Sequence, residues 1–370
     1  MTGEDTTMDM QTRRPATHGS VEQAGVTLIE LMIGLAVGAI VVAVAFTMLT
    51  TTSKSFRANQ QIVDTQQNLR MAVELLSRDI KLAGFGSPGV AIGNCTNAIV
   101  PNDQNPTGTD SGPDSIQLLV PTTRSTGANR WTLRTATLTS GVTQIALQTG
   151  GGGAVADMAN SGLAVGSYIS IGGSATSQVS AFDTSANTIN VSIPPPLWFQ
   201  VEDPIYLLQC IRYQVVLPPD PSNLCGGSAP CLTRGVAGAA VTSPNAEAPI
   251  AEGIEDLQLA YACDGCVAAI NSGIPDRIID DVSGNGSFDQ ADFLYNAPWT
   301  VAPLTPDKIK LIQVALVAKQ SKNDQGFGET NGAVVGSPAI TVTSDHPLPA
   351  DPNHRRRILV KTVDTRNVGL

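Results

Sequence analysis

The chain has 370 residues, of which 15% are charged, 4% are aromatic, 35 are glycine and 24 are proline. Its formal net charge of −10 disfavours a general nucleic-acid partner, because phosphate backbones are bound largely through Lys and Arg. The length exceeds what one compact core usually needs, so the composition indicates a strand-rich domain joined to a long element outside its core.

An uncharged run begins directly after an acidic residue near the start of the chain. It extends from Leu31 to Ser53, between Glu30 and Lys54, and contains 23 residues. At about 1.5 Å per residue, this run is long enough to cross a hydrocarbon layer of roughly 30 Å. A secretory signal is normally cut after its apolar run, whereas the small residue Gly25 precedes it here. We therefore expect the membrane anchor to stay on the mature protein.

The next segment has the period of an amphipathic helix. Leu69, Val73, Leu76 and Ile80 form one apolar stripe, and Asp79 is assigned to the polar remainder of the helix. Together with the apolar run, this pattern predicts one helix from about residue 26 to residue 83. Glycines and a proline follow immediately and should end it. We expect the second half of this helix to pack on a globular domain.

The rest of the chain is predicted to consist of strands joined by turns rich in Gly, Pro, Asn and Ser. The predicted strands cover residues 115–120, 131–139, 143–148, 168–171, 178–182, 188–193, 205–217, 254–263, 309–318 and 358–363. The stretch "TGGGGAVADMANSG", residues 149–162, is predicted to be a loop.

Six cysteines all follow residue 90, and an even number in this part of the chain favours an oxidising compartment. Short separations favour two disulfides, and elimination leaves the third: the pairs are Cys225 with Cys231, Cys263 with Cys266, and Cys95 with Cys210. The "CDGC" spacing is also compatible with a redox dithiol or half of a zinc site. A dithiol normally begins a helix, whereas this one ends a predicted strand, so a structural disulfide is preferred.

The segment "DVSGNGSFDQAD" has the twelve-residue spacing of a calcium loop, with a glycine, Gly286, at position 6. The predicted ligands occupy positions 1, 3, 5, 7, 9 and 12 and are Asp281, Ser283, Asn285, Ser287 through its carbonyl, Asp289 and Asp292. Ser283 and the short Asp292 are weaker ligands than the usual residues, which predicts low affinity. Asp280 stands beside the loop and should add to its charge repulsion. A solvated turn is the alternative interpretation.

Other motifs do not indicate an enzyme. "GFGSPG" has the letters of a dinucleotide motif, but it follows a helix where such a site follows a strand. "HRRR", residues 354–357, is interpreted as a solvated or ion-paired cluster that opens the last strand. His346 and His354 are the histidines after residue 25, and no GxSxG occurs. We expect no catalytic activity and no organic cofactor, with calcium as the one candidate cofactor.

The stretch "GVTLIEL" resembles the type IV prepilin signal, which an inner-membrane peptidase cuts after a glycine. The resemblance implies processing at Gly25, with Val26 as the first mature residue and Glu30 as the fifth. A carboxylate inside a membrane is costly without a partner, and in this family its partner is the new N-terminal ammonium, here on Val26. Gly34 and Gly38 form a GxxxG that permits close helix packing, although ordinary glycine usage in membrane helices explains it equally well.

Four further blocks look like successive parts of the PilW-type minor pilins of type IV pili. They are "LSRDIKLAGF", "AEGIEDLQLAYACD", "IKLIQVALVAKQ" and "RRRILVKTVDTRN". The resemblance implies an α+β, pilin-like fold in which a long transmembrane helix precedes a β-rich periplasmic domain. The implied divisions are a leader (1–25), a membrane half-helix (26–53), a periplasmic half-helix (54–86) and a globular domain (87–370). Residues 89–204 match nothing in the family and are predicted to be an insertion.

The resemblance also implies a function and a location. We expect a minor pilin in the inner membrane that joins a tip complex and primes pilus assembly. Its partners would be other minor pilins, the major pilin, prepilin peptidase, the inner-membrane assembly platform and membrane lipid. Two alternatives remain, a minor pseudopilin of type II secretion and a membrane-anchored, calcium-dependent adhesin or binding module.

Overall fold

The structure is a computed structural model that describes residues 25–87, 89–105, 110–124, 130–136, 141–148, 153–196, 198–227, 229–236, 246–321, 340–341, 346–351 and 353–368. The predicted leader, apart from Gly25, lies outside the described residues. The chain forms two units, one up to Lys54 and one from Ser55 onward.

The helix α1 (Leu28–Leu82) crosses both units and agrees with the predicted helix to within two residues at its start and one at its end. All described residues up to Lys54 are exposed, and this part of α1 is long and apolar enough to cross a membrane. Several threonines interrupt the apolar sequence here. Thr47 and Thr51 donate their hydroxyls to backbone carbonyls one turn earlier, at 2.8 and 2.9 Å. These polar groups therefore have partners inside the helix, which a lipid environment requires.

The second unit contains the rest of α1, a short helix α2 (Ala154–Asn160) and fourteen strands among its described residues. The strands are β1 (Ile99–Asn102), β2 (Ser115–Thr122), β3 (Gln144–Ala146), β4 (Tyr168–Ile171), β5 (Ala175–Asp183), β6 (Thr188–Val191), β7 (Ile205–Val216), β8 (Cys231–Val236), β9 (Ala248–Glu252), β10 (Ile254–Cys263), β11 (Ile309–Lys319), β12 (Ile340–Thr341), β13 (Pro347–Leu348) and β14 (Arg356–Asp364).

These strands form three antiparallel sheets. The largest runs β1-β2-β7-β4-β5-β6-β3, and β8 also pairs with β7 and carries β9 at its other edge. The second sheet is β10-β11-β14, and the third is the pair β12-β13. Strand β7 is central because β2 pairs with it from Gln214 to Leu207, while β4 and β8 share its other edge.

The first hydrophobic core lies between the second half of α1 and the two larger sheets. Leu69, Val73, Leu76 and Ile80 are all buried in it, so the predicted apolar stripe is confirmed. Each fully buried side chain of this kind contributes about 1.5–3 kcal/mol. The exposed part of α1 therefore ends where the helix begins to pack on this core. The compact unit starts well before residue 87.

A second hydrophobic core is built entirely from residues between Trp131 and Leu207. Strands β2 and β7 pair directly, with Thr122 opposite Leu207, so residues 123–204 are inserted at one hairpin. Their strands β4, β5, β6 and β3 extend the same sheet from the other edge of β7. The insertion predicted at residues 89–204 stays a prediction. Residues Ile99, Ile116 and Leu118 belong to the first core, because β1 and β2 extend the main sheet.

The predicted loop at residues 149–162 is wrong in its second part, where α2 forms. Ala154, Val155 and Met158 of this helix are buried in the second core. The backbone N–H of Val155 donates to Oδ1 of Asn187 at 2.8 Å, so a distant side chain satisfies the helix start. The glycines beside this segment favoured the prediction of a loop, whereas tertiary contacts stabilise a helix there.

Other differences concern short or irregular strands. Of the predicted strand at 131–139, Thr132 and Leu133 form only isolated bridges, and residues 137–139 lie outside the described part. Strands β1, β8, β9, β12 and β13 were not predicted. Most of these strands are short. Prolines occur in β1, β9 and β13, and a proline in the sequence argues against a strand.

Candidate functional site

The start of α1 is capped by the side chain of Thr27. The backbone N–H of Glu30 donates to the Thr27 hydroxyl at 3.3 Å, and the N–H of Leu31 donates to the Thr27 carbonyl at 3.1 Å. Thr27 is therefore the N-cap, with Glu30 at the third helical position of the favourable T-x-x-E pattern. This explains why the helix begins two residues after Val26 and leaves Gly25 in extended, exposed backbone.

The predicted processing residues are adjacent and accessible. Gly25, Val26 and Glu30 are all exposed, and a Cβ added to Gly25 would meet no atom within 4 Å. In the uncut chain the Val26 nitrogen belongs to a peptide bond, so the predicted ion pair with Glu30 can form only after cleavage. The geometry thus leaves the peptide bond after Gly25 open to a peptidase.

The predicted helix-packing glycines lie on an open surface of α1. A Cβ at Gly34 or Gly38 would meet no described atom within 4 Å. Residues four apart lie on one helix face, so the two glycines provide a smooth strip where another helix can approach closely.

A buried carboxylate joins the second half of α1 to the main sheet. Asp79 is fully buried, and its Oδ2 accepts from the Tyr213 hydroxyl at 2.7 Å and from Arg234 Nε at 2.8 Å. Burial would lower the pKa of Arg234, but Tyr213 and Asp79 raise it. Burial, reinforced by Asp79, raises the pKa of Tyr213. The assignment of Asp79 to the polar part of the helix was therefore wrong.

Sequence reasoning missed this cluster because Arg234 is 155 residues away and lies on the unpredicted strand β8. One signal was available in the sequence. Asp79 follows Leu76 by three positions and precedes Ile80, so it adjoins the apolar stripe on the helix surface. A charge in that position needs a buried partner.

The predicted calcium residues form one closed loop. Asp281 accepts the backbone N–H groups of Gly284 at 2.7 Å and Gly286 at 2.6 Å. Asp292 accepts those of Ser283 at 2.8 Å and Asp289 at 2.7 Å, and it is fully buried. Gly286 has a φ of +88°, the left-handed backbone expected of the glycine at position 6.

The remaining predicted ligands also form hydrogen bonds within this loop. Asn285 donates its side-chain amide to Asp289 at 2.7 Å, and its Oδ1 accepts from the Ser287 backbone N–H at 2.9 Å. The backbone N–H of Ser283 lowers the pKa of Asp292, which keeps that carboxyl ionised. Ionised carboxylates retain lone pairs beyond these hydrogen bonds. The donor set is therefore oxygen-rich and fits calcium chemistry.

Asp280 has a different role from the one expected. Its carboxylate is buried and accepts the backbone N–H groups of Gly265, Cys266 and Val267 at 2.9–3.1 Å. It therefore stabilises the "CDGC" turn and does not add free charge to the neighbouring loop.

Three disulfides join the pairs that sequence separation and elimination favoured, Cys95 with Cys210, Cys225 with Cys231, and Cys263 with Cys266. The first connects the segment before β1 to the central strand β7. The second closes the loop between β7 and β8. The third closes the turn at the end of β10, so these thiols are not available to zinc in this structure.

The basic segment before β14 is paired with acids. His354 Nδ1 lies 3.1 Å from Asp351, and Arg356 forms an ion pair with Glu255. Burial would raise the pKa of Asp351, but hydrogen bonds from Lys319 and His354 hold it below its ordinary value. The ion-paired interpretation of this segment agrees with these contacts.

A group of three carboxylates was missed by the sequence reasoning. The ligand oxygens of Asp103, Asp110 and Asp114 lie within 4.8 Å of one another, between β1 and β2. Burial raises the pKa of Asp114 to about 9, so this carboxyl is protonated at neutral pH. It accepts the backbone N–H of Leu259 at 2.9 Å and thereby ties this loop to β10.

Comparisons with known proteins find matches to two segments of the chain and to one solved structure. Residues 223–367 match the family Type IV Pilus-assembly protein W, and residues 22–46 match the Prokaryotic N-terminal methylation motif. A type IV-like pilin from Thermus thermophilus aligns with 82% of this chain and 98% of its own, at 13% identity and a TM-score of 0.31. No curated protein sequence matches the chain.

The long apolar helix followed by a β-rich unit makes this an α+β protein. With the methylation motif near its start and the matched segment at residues 223–367, the chain is similar to type IV pilus-assembly proteins in both of these parts. The resemblance to PilW-type minor pilins is thereby confirmed. These features are also those of a membrane-anchored pilin.

Proposed function

We propose that the chain is a minor pilin that prepilin peptidase cuts after Gly25 and that primes assembly of a type IV pilus from a tip complex. The observation that carries this proposal is the exposed, capped start of α1, where an accessible glycine precedes Glu30 and an apolar helix. Such a segment has no use in a soluble protein, because its apolar surface would remain in water.

The proposed partners follow from the two units. The segment up to Lys54 would lie in the inner membrane, in contact with lipid, the assembly platform and the corresponding helices of other minor pilins and the major pilin. The unit from Ser55 would lie in the periplasm, where three disulfides suit an oxidising compartment. We propose this structural role in place of catalysis.

Deletion of the gene, with complementation, tests the priming role. We expect the deletion to abolish surface pili, the wild-type gene to restore them, and a Gly25→Val variant to remain uncut and fail to restore them. Mass spectrometry of sheared filaments should detect the chain at low abundance beside the major pilin. Normal piliation in the deletion strain would contradict the proposal, and loss of protein secretion with pili intact would identify a type II pseudopilin.

The loop from Asp281 to Asp292 supports a second, compatible proposal, that this protein binds calcium weakly. The supporting observation is the closed geometry, with a left-handed Gly286 at position 6 and the carboxylates of Asp281, Asp289 and Asp292 at positions 1, 9 and 12. Calcium would add positive charge to a loop that has no Lys or Arg.

A further inference from the structure

Two pockets on the unit from Ser55 join to form one groove. The first, with a volume of about 780 Å³, lies beside the glycine-rich turn that ends α1, and the second, of about 520 Å³, lies beside β1. Both are lined by Thr96, Asn97 and Asp307, which therefore mark their junction. Pockets of roughly 300–1,000 Å³ are the size that holds small organic ligands.

The polar side chains at the junction are uncommitted. Among the described residues, neither the exposed carboxylate of Asp307 nor the amide of Asn97 makes a side-chain hydrogen bond or ion pair, and the Thr96 hydroxyl makes none. By contrast, Asn367, which also lines the first pocket, donates its side-chain amide to the Lys81 carbonyl at 2.9 Å. Three free polar groups converging on a groove provide hydrogen-bonding capacity for a ligand.

The charge of the groove limits what it can hold. Asp307 and Asp103 contribute carboxylates, and none of the described lining residues is Lys, Arg or His. The nearest cation in sequence, Lys308, donates its Nζ to the carbonyls of Gly265, Gly273 and Pro303 at 2.7–3.0 Å. The groove therefore repels anions such as phosphates and acidic sugars.

The walls of the groove supply flat apolar surface. Phe85 and Val90 line the first pocket. The exposed Pro298 lines the second, in front of the buried Trp299 and Pro306. Trp299 is buried, and its indole N–H has no acceptor among the described residues. Aromatic and proline surfaces pack on C–H groups, while amides and carboxylates bind hydroxyls. A neutral polyhydroxyl compound presents both kinds of group.

We propose that this groove binds a neutral oligosaccharide, with Asp307 and Asn97 accepting and donating hydrogen bonds to sugar hydroxyls. The proposal goes beyond the assembly role and does not depend on it, because it concerns a surface of the globular unit that is distant in sequence from the processing site. It also does not involve the calcium loop.

Calorimetry on the full-length protein tests the proposal. The protein is purified in a polyoxyethylene detergent, since maltoside detergents would compete, and titrated with maltotriose, cellotriose, triacetylchitotriose and the anionic control sialyllactose. We expect at least one neutral trisaccharide to bind with a Kd of about 1 mM or lower. Asp307→Asn should weaken that binding about tenfold, because it removes a charged acceptor.

The matched control is Asp364→Asn, the same change at an exposed aspartate outside the groove. It should bind the trisaccharide as the wild type does. The proposal is overturned if no neutral trisaccharide binds, if sialyllactose binds as tightly, or if Asp307→Asn and Asp364→Asn bind equally well. Piliation of the Asp307→Asn strain should be normal. Calorimetry therefore tests sugar binding, and piliation tests the assembly role independently.

Discussion

Asp79 connects the helix α1 to the main sheet through a single side chain. Its carboxylate accepts from the Tyr213 hydroxyl and forms an ion pair with Nη2 of Arg234 at 2.7 Å. Arg78 lies 3.2 Å from the other carboxylate oxygen. Arg78 is mostly exposed, so solvent screens its contribution. The buried contacts to β7 and β8 therefore carry most of the interaction.

We expect Asp79→Ala to lower the free energy of unfolding by about 3–5 kcal/mol, because Arg234 would keep a half-buried charge without its partner. Urea denaturation of residues 55–370 measures the change, since this range contains both hydrophobic cores. Glu74→Ala, at an exposed acid on the same helix, should cost less than about 0.5 kcal/mol. Equal urea midpoints for the two variants would show that the Asp79 pair is not stabilising.

Glu30 should act after cleavage, when Val26 carries an ammonium group. We expect Glu30→Ala to insert and be cut normally, because it removes a charge from an apolar segment, yet to enter filaments at least about tenfold less often, equivalent to about 1.4 kcal/mol. Immunoblots of sheared pili and of membranes measure both steps. Glu30→Asp retains the carboxylate and should assemble substantially better than Glu30→Ala. Wild-type incorporation of Glu30→Ala would mean that the carboxylate is dispensable.

At the scale of elements, the loop between β10 and β11 combines two neighbouring carboxylates with different tasks. Asp280 holds the disulfide-closed turn after β10, and Asp281 organises the glycine-containing loop that follows. The structure thus separates a residue that stabilises the fold from one that can bind a cation.

We expect millimolar calcium to raise the melting temperature of residues 55–370, compared with chelator. At a concentration 100 times the Kd, the gain is about 2.7 kcal/mol. The fragment must begin near Ser55, because a start at residue 87, the predicted boundary of the globular domain, would remove Leu69 and Leu76 from the first core.

Asp281→Ala should melt lower than the wild type, since it also removes the acceptor for Gly284 and Gly286, and calcium should not shift its transition. Asp276→Ala, at an exposed aspartate before the loop, should keep the calcium response. If calcium leaves the wild-type transition unchanged, the loop is a solvated turn only.

At the scale of the whole molecule, residues 123–204 form a module inside one hairpin. None of its described residues belongs to the first core, and among the residues that the structure describes, the second core takes only Ile205 and Leu207 from outside the module. Nucleation of the main sheet therefore requires closing a long loop between β2 and β7, which costs conformational entropy.

We expect a variant in which Asn-Gly replaces residues 123–206 to fold cooperatively, because Thr122 and Leu207 are opposite each other and a two-residue turn can join them. The Cys95–Cys210 disulfide should still form, which a free-thiol assay measures. Leu76→Ala should cost about 2–5 kcal/mol in both the short and the full-length protein, since the two cores are separate. A short variant without a cooperative transition would contradict this modularity.

The sequence by itself determined the features that depend on neighbours along the chain. Thr27 and Glu30 begin α1, and the stripe from Leu69 to Ile80 selects its buried face, because capping and helical periodicity act over three or four residues. Strands β4 and β10 were predicted with their observed bounds for the same reason, since their apolar patterns are continuous.

Only the tertiary structure decided features whose partners are far apart in sequence. Arg234 reaches Asp79, Asn187 caps α2, and β2 pairs with β7 across an inserted module, and no local pattern encodes these distances. The groove at Asn97 and Asp307 exists for the same reason, because two loops 210 residues apart meet only when both sheets have packed. Burial then fixes which charges are paired, since an unpaired charge is tolerated only in contact with water.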